Sequence, residues 1–175
     1  MSALENLLSQ PGDQAVWTLA PQRCEITFRC RSFWGLLPVR GRFTAVRGDG
    51  QVAGGTAFGR VDIDAGSLTT GNAKRDEHLR SEDFFAVERF PTISVVVTAV
   101  EPAPEGAQVR AALTVRDVTH PLPLTATVTV LDDEALQIEA RGTIDRTHWD
   151  VSGNLLGMVR RPTELVARTV FVKTG

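Results

Sequence analysis

A chain of 175 residues is long enough to bury its own core as one domain, so it needs no disulfide or metal staple. With 42% hydrophobic and 23% charged residues it has a globular composition. No stretch nears the roughly 20 apolar residues of a spanning helix, which speaks against stable membrane insertion. The net charge of −2 excludes the basic balance of a general nucleic-acid binder.

Ser2-Ala3-Leu4-Glu5 has the spacing of a capping box, and Leu4, Leu7 and Leu8 fall on one helical face. A short amphipathic helix that needs a surface to dock on is predicted, ended by Pro11-Gly12-Asp13. Met1 to Gln10 holds neither a basic start nor an apolar run of signal-peptide length, so the expected location is the cytoplasm.

From Trp17 the period changes to two. Ile26, Phe28 and Cys30 alternate with Glu25, Thr27, Arg29 and Arg31. Cys24 and Cys30, six residues apart on one strand, would be roughly 20 Å apart, too far for a disulfide. They are expected to be buried thiols in a reducing compartment. A kink is expected around Gly35 to Pro38, then a strand over Val39 to Val46, with a turn at Gly48-Asp49-Gly50. Phe58 to Ile63 is the next strand, and Ile93 to Val100 follows with both faces largely apolar.

Apolar rows then run through Val109, Ala111, Leu113 and Val115, through Leu122 to Val130, and through Leu136 to Ile144. The last strand covers about Leu165 to Val172. Turns are predicted at Pro102 to Gly106 and at Asp132-Asp133. About eight strands with short turns describe an all-β antiparallel sandwich or barrel, and the period alone does not choose between them.

Two stretches break the pattern. Asn72 can cap a helix through His78 or Leu79, and Ser81 a second short one before Asp83-Phe84-Phe85, making Asn72 to Phe90 a helical insertion. Asp145 to Glu164 is irregular and about twenty residues long, a length that is commonly functional.

His78, His120 and His148 sit in no metal-ligand spacing, there is no GxSxG, and neither cysteine has a base adjacent in sequence. No catalytic residue, metal or cofactor is expected, and the chain reads as a non-enzyme. Arg75 to Arg80 is a charge cluster that alone would pass for a solvated helix face.

Arg75-Asp76-x-His78-Leu79-x-Ser81-x-Asp83-Phe84-Phe85, with Phe90-Pro91-x-Ile93 after it, is the most specific block in the chain. Together with Ser67-Leu68-x-Thr70-x-Asn72 before it, it resembles the YceI-like family of polyisoprenoid-binding, lipocalin-like proteins. Trp17-Thr18-Leu19, Val39-x-Gly41-x-Phe43, Leu113-Thr114-Val115-x-Asp117-Val118-Thr119-x-Pro121-Leu122 and Ile144-Asp145-Arg146-x-x-Trp149 extend the likeness to the C-terminus. The family's frequent His-Ser is Arg23-Cys24 here, its histidine near position 32 is Ser32, and the glycine after the aromatic at 149 is Asp150. The resemblance implies an eight-stranded antiparallel lipocalin-like barrel over residues 16–175, with the short helical insertion, and an N-terminal helical extension over 1–15.

It also implies an elongated apolar ligand, an isoprenoid, quinone-like or fatty chain, held inside the barrel for carriage, storage or sensing. The other reading is a structural or interaction barrel filled by its own side chains. The expected partner is therefore an apolar small molecule, with a homodimer allowed. Phe28, Val95, Val97 and Leu113 are expected to point inward; Trp17, Phe43, Phe58, Phe84 and Phe85 are expected to contact the ligand as well. Arg160 and Arg161 either hold an anionic head group at the rim or are simply solvated.

Overall fold

A computed structural model describes residues 2–9, 15–32, 37–131, 135–153 and 160–174, without the side chains of Ser32 and Leu37. Helix α1 (Ala3–Leu8) precedes strands β1 (Ala15–Leu19), β2 (Glu25–Ser32), β3 (Leu37–Phe43), β4 (Val46–Ala53), β5 (Thr56–Asp64) and the two-residue β6 (Leu68–Thr69). Helix α2 (Ala73–Arg80) follows, then β7 (Thr92–Ala103), β8 (Gly106–Val115), β9 (Val118–Val130), β10 (Ala135–Asp145) and β11 (Pro162–Lys173).

All pairings are antiparallel, and the order β1-β4-β5-β7-β8-β9-β10-β11 closes on itself through β1 and β11, so the chain is an eight-stranded barrel. Closure leaves the ring without the exposed edge that an open sheet must protect. Strands β2, β3 and β6 prolong it. β1 pairs with Phe171–Lys173 and β2 with Glu164–Arg168, so both lie along one edge of β11. The 3-10 turn Pro21–Arg23 interrupts them, since Pro21 has no amide proton to give to a ladder.

Alternation along each strand decides what faces inward. Phe28 lies across from Leu165, Ile63 from Ile93, and Val95 from Leu113. These apolar residues share the inner face, and their polar neighbours face out. Buried residues from nearly every strand form one apolar cluster, joined by Leu4 and Leu8 of α1. The capping box of α1 is present: Ser2 N donates to Glu5 Oε2 at 2.6 Å and Glu5 N to Ser2 Oγ at 3.2 Å.

The turn expected at Gly48-Asp49-Gly50 is instead the middle of β4. The chain reverses at Gly54-Gly55, where φ of 61° and 77° is the left-handed geometry of a two-residue hairpin. Gly48 and Gly59 serve close backbone approach. A Cβ on Gly59 would lie 2.4 Å from the Asp49 carbonyl oxygen, and one on Gly48 2.6 Å from that of Arg60. Of the kink expected around Gly35 to Pro38, Gly35 and Leu36 lie outside the described residues, as does the Asp132-Asp133 turn, while Leu37 and Pro38 already belong to β3.

The insertion is less helical than expected. Asn72 caps α2, its side chain accepting from Arg75 N at 3.0 Å. Ser81 starts no second helix, because its hydroxyl donates back to the His78 carbonyl. The chain then turns through Ala86, at φ 48°, with Phe85 N donating to Leu79 O at 3.0 Å and Phe90 N to Ala86 O at 2.9 Å. Arg116 Nη1 reaches over to the carbonyl of Phe84 at 2.8 Å and ties this insertion to the β8–β9 turn. Asn72→Ala is expected to cost about 1 kcal/mol, the usual value of a lost cap. Urea denaturation of the two proteins measures it.

Candidate functional site

The barrel encloses a cavity of about 500 Å³. Its wall is made by the inner-face rows of the strands: Ile63 and Val61 from β5, Val95 and Val97 from β7, Leu113 and Leu122 from β8 and β9. On the β10 and β11 side Ile138, Ala140 and Leu165 continue it. At one end Phe28, Phe43 and Phe85 meet with ring centroids 5.6 to 6.1 Å apart, the range in which aromatic rings attract. Trp149, from the 3-10 turn Arg146–Trp149, lies at the same end; its Nε1 donates to Leu113 O at 2.8 Å and His120 stands edge-on at 5.3 Å. At the other end Leu7 of α1 borders the cavity.

At the aromatic end Cys30, Arg75, His78, Arg146 and Thr163 border the cavity, while Asp49, Gln51 and Arg60 border it along β4 and β5. Arg146 is 7% exposed, with Nε donating to Arg160 O at 3.1 Å, Nη1 to Val151 O, and its guanidinium 5.7 Å from the Phe84 ring. Burial lowers its pKa, while Cys30 and Asp145 act against that. Burial pushes the Cys30 thiol up, and Arg146 and Arg75 partly offset it. Arg75 donates from Nε to Thr70 Oγ1 at 2.9 Å and from Nη2 to Thr70 O at 3.1 Å. Cys24 and Cys30 are both free thiols.

Trp17, Phe28, Phe43, Phe84 and Phe85 all border the cavity, as do Val95, Val97 and Leu113. Phe58 borders it beside Gly50 and Gly59. Its alternation with Ala57 and Gly59, which pair with inward Val52 and Gly50, turns its ring to the outer face, where it is 37% exposed. Arg160 and Arg161 are exposed and do not border the cavity. Arg60, Arg75 and Arg146 border it, the last two inside the family-like motifs. Trp17 Nε1 is buried without an acceptor among the described residues. Leu7 was missed as a cavity residue because a helix pattern shows an apolar face but not what the face covers.

Asp76 anchors the α2 end, accepting from Thr70 N at 2.8 Å and from the Thr70 hydroxyl. Burial pushes its carboxyl up, but these Thr70 bonds, with Thr69 and Arg80, hold it below the ordinary carboxylate range. Its stabilising contribution is therefore complete above the unfolded value of about 3.9 and is lost as pH falls through the lower folded value. Melting temperature should drop over that acid window in the wild type and drop less in Asp76→Asn. Parallel pH curves would assign the acid lability to other groups.

Among the described residues no three His, Cys, Asp or Glu side chains form a metal-binding group. No described helix is long and apolar enough to cross a membrane.

A protein of Yersinia enterocolitica, UPF0312 protein YE1254, is 32% identical over 111 residues, 61% of this chain and 57% of that protein. Protein YceI of Salmonella arizonae is 30% identical over 111 residues, 61% of this chain and 58% of its own. The matched segment thus spans little more than half the length of these relatives. Among solved structures, Burkholderia cenocepacia BcnA superposes with a TM-score of 0.77 at 16% identity, over 87% of this chain and 98% of its own. A polyisoprenoid binding domain from Saccharophagus degradans, implicated in plant cell wall breakdown, gives 0.74 at 15% identity over 90% and 98%. At these identities the two structures speak for the fold. The YceI-like domain model matches residues 17–174, from the first barrel strand to the end of the last, and the chain belongs to the YceI-like domain family.

Proposed function

We propose that this protein binds an elongated apolar molecule, an isoprenoid, quinone-like or fatty chain, inside its barrel, for carriage, storage or sensing. The observation that carries this reading is the cavity itself. About 500 Å³ lies within the roughly 300–1,000 Å³ usual for small-molecule sites. A barrel whose side chains filled it would leave only gaps. The Saccharophagus degradans neighbour, described as polyisoprenoid-binding, supports the same class of ligand. Each buried methylene contributes about 0.8 kcal/mol, so an apolar tail needs no polar partner and no catalytic group.

A polar head must keep its hydrogen bonds. The end bordered by Arg75, His78, Arg146 and Thr163 suits it, and that end rather than Arg160 and Arg161 is where we put the head. Two free thiols fit a reducing compartment such as the cytoplasm. Native mass spectrometry of protein purified from cells, followed by organic extraction, tests the proposal. A stoichiometric lipid-like adduct is expected. Protein that carries none, and takes up no prenol or fatty probe, would favour the structural barrel.

A further inference from the structure

We infer that α1 is a length stop, and that its Leu7 sets the longest ligand chain the barrel accepts. The inference rests on the ligand-binding reading above. Helix α1 touches β9 and β4. In the ring β1-β4-β5-β7-β8-β9-β10-β11 these strands are four steps apart out of eight, on opposite sides of the barrel. A six-residue helix is only about 9 Å long. To touch both walls it must cross the mouth rather than lie along the outside.

The side chains agree with that position. Leu4 and Leu8 are 4% and 8% exposed, in one apolar cluster with Trp17 and Val52, while Leu7 borders the cavity. Between them Glu5 and Asn6 are exposed. The end is also defined. Ala15, which opens β1 shortly after α1, pairs with Val52 beside the Gly54-Gly55 hairpin. Ile144 and Thr163, at the other ends of β10 and β11, adjoin the Arg146–Trp149 turn. The apolar floor and the polar end are thus opposite ends of one cavity. A chain with its head near Arg75 and Arg146 runs toward Leu7, and a longer one must push α1 out and expose its leucines to water.

Helix α1 precedes the segment matched to the family, which begins at Trp17. The capping box holds α1 as a formed turn, so Leu7 is presented on a short rigid element.

The test is a length series of prenols and of straight-chain alcohols, measured by displacement of a fluorescent fatty probe from the full chain. Wild-type affinity should rise with length and then break off. Leu7→Ala should raise affinity for the first excluded alcohol by about tenfold, and Leu7→Trp should move the break to shorter chains. Removing residues 2–9 should abolish the break; if that truncated chain does not fold, the two point variants still decide. An unchanged break in Leu7→Ala and Leu7→Trp overturns the stop while leaving ligand binding intact. A wild-type chain that binds no member of either series overturns the binding reading itself, a different result.

Discussion

Val97→Trp is expected to weaken binding of a prenol or fatty probe by roughly fiftyfold while leaving the protein folded. Val97 borders the cavity from β7 and pairs with Gly59, which in turn pairs with Gly50. Two neighbouring inner positions therefore carry no side chain. The indole has room over that bare wall without forcing backbone apart, which is the usual penalty of overpacking. The room it takes is room the ligand loses. Displacing three methylenes at about 0.8 kcal/mol each amounts to about 2.4 kcal/mol, which is that fiftyfold. Probe titration with the melting temperature recorded alongside separates the outcomes. Unchanged affinity in a folded variant would mean the ligand does not pass Val97.

Trp149→Ala carries the largest expected effect on stability, about 3–5 kcal/mol. The indole is 3% exposed, packs edge-on against His120, and donates to the Leu113 carbonyl. Truncation removes the apolar volume and the hydrogen bond together. Trp149→Phe keeps most of the volume and loses the donor, so it should cost only about 1 kcal/mol beyond any repacking. Urea midpoints for the three proteins read the difference. Equal losses in the two variants would make the hydrogen bond, not the packing, what holds this end closed.

Much of this architecture was legible before any coordinates. The inner rows were readable because a strand exposes alternate residues to opposite faces, so Phe28, Leu113 and the Leu136 to Ile144 row had to share a side. The Asn72 cap and the Ser2–Glu5 capping box are contacts within four residues, and local spacing is enough to read them. The central motif pointed to the family from single positions with no packing argument at all.

What the sequence left open concerns meetings between distant segments. Gly48 and Gly50 have the composition of a turn, but Val61 stands across from Gly48, and Gly59 and Trp17 from Gly50, and only those pairings make them strand residues. Phe58 is as apolar as Phe28, yet its parity relative to Gly50 and Gly59 turns it outward. Arg160 and Arg161 make the more conspicuous cationic pair, while the guanidinium buried at the cavity is Arg146, carried in by a 3-10 turn that the carbonyls of Val151 and Arg160 hold. Residue type, period and local capping were the sequence's own to determine. Closure of β1 on β11, and with it which ends are plugged by α1 and Trp149, depended on pairings more than 150 residues apart, which no local pattern encodes.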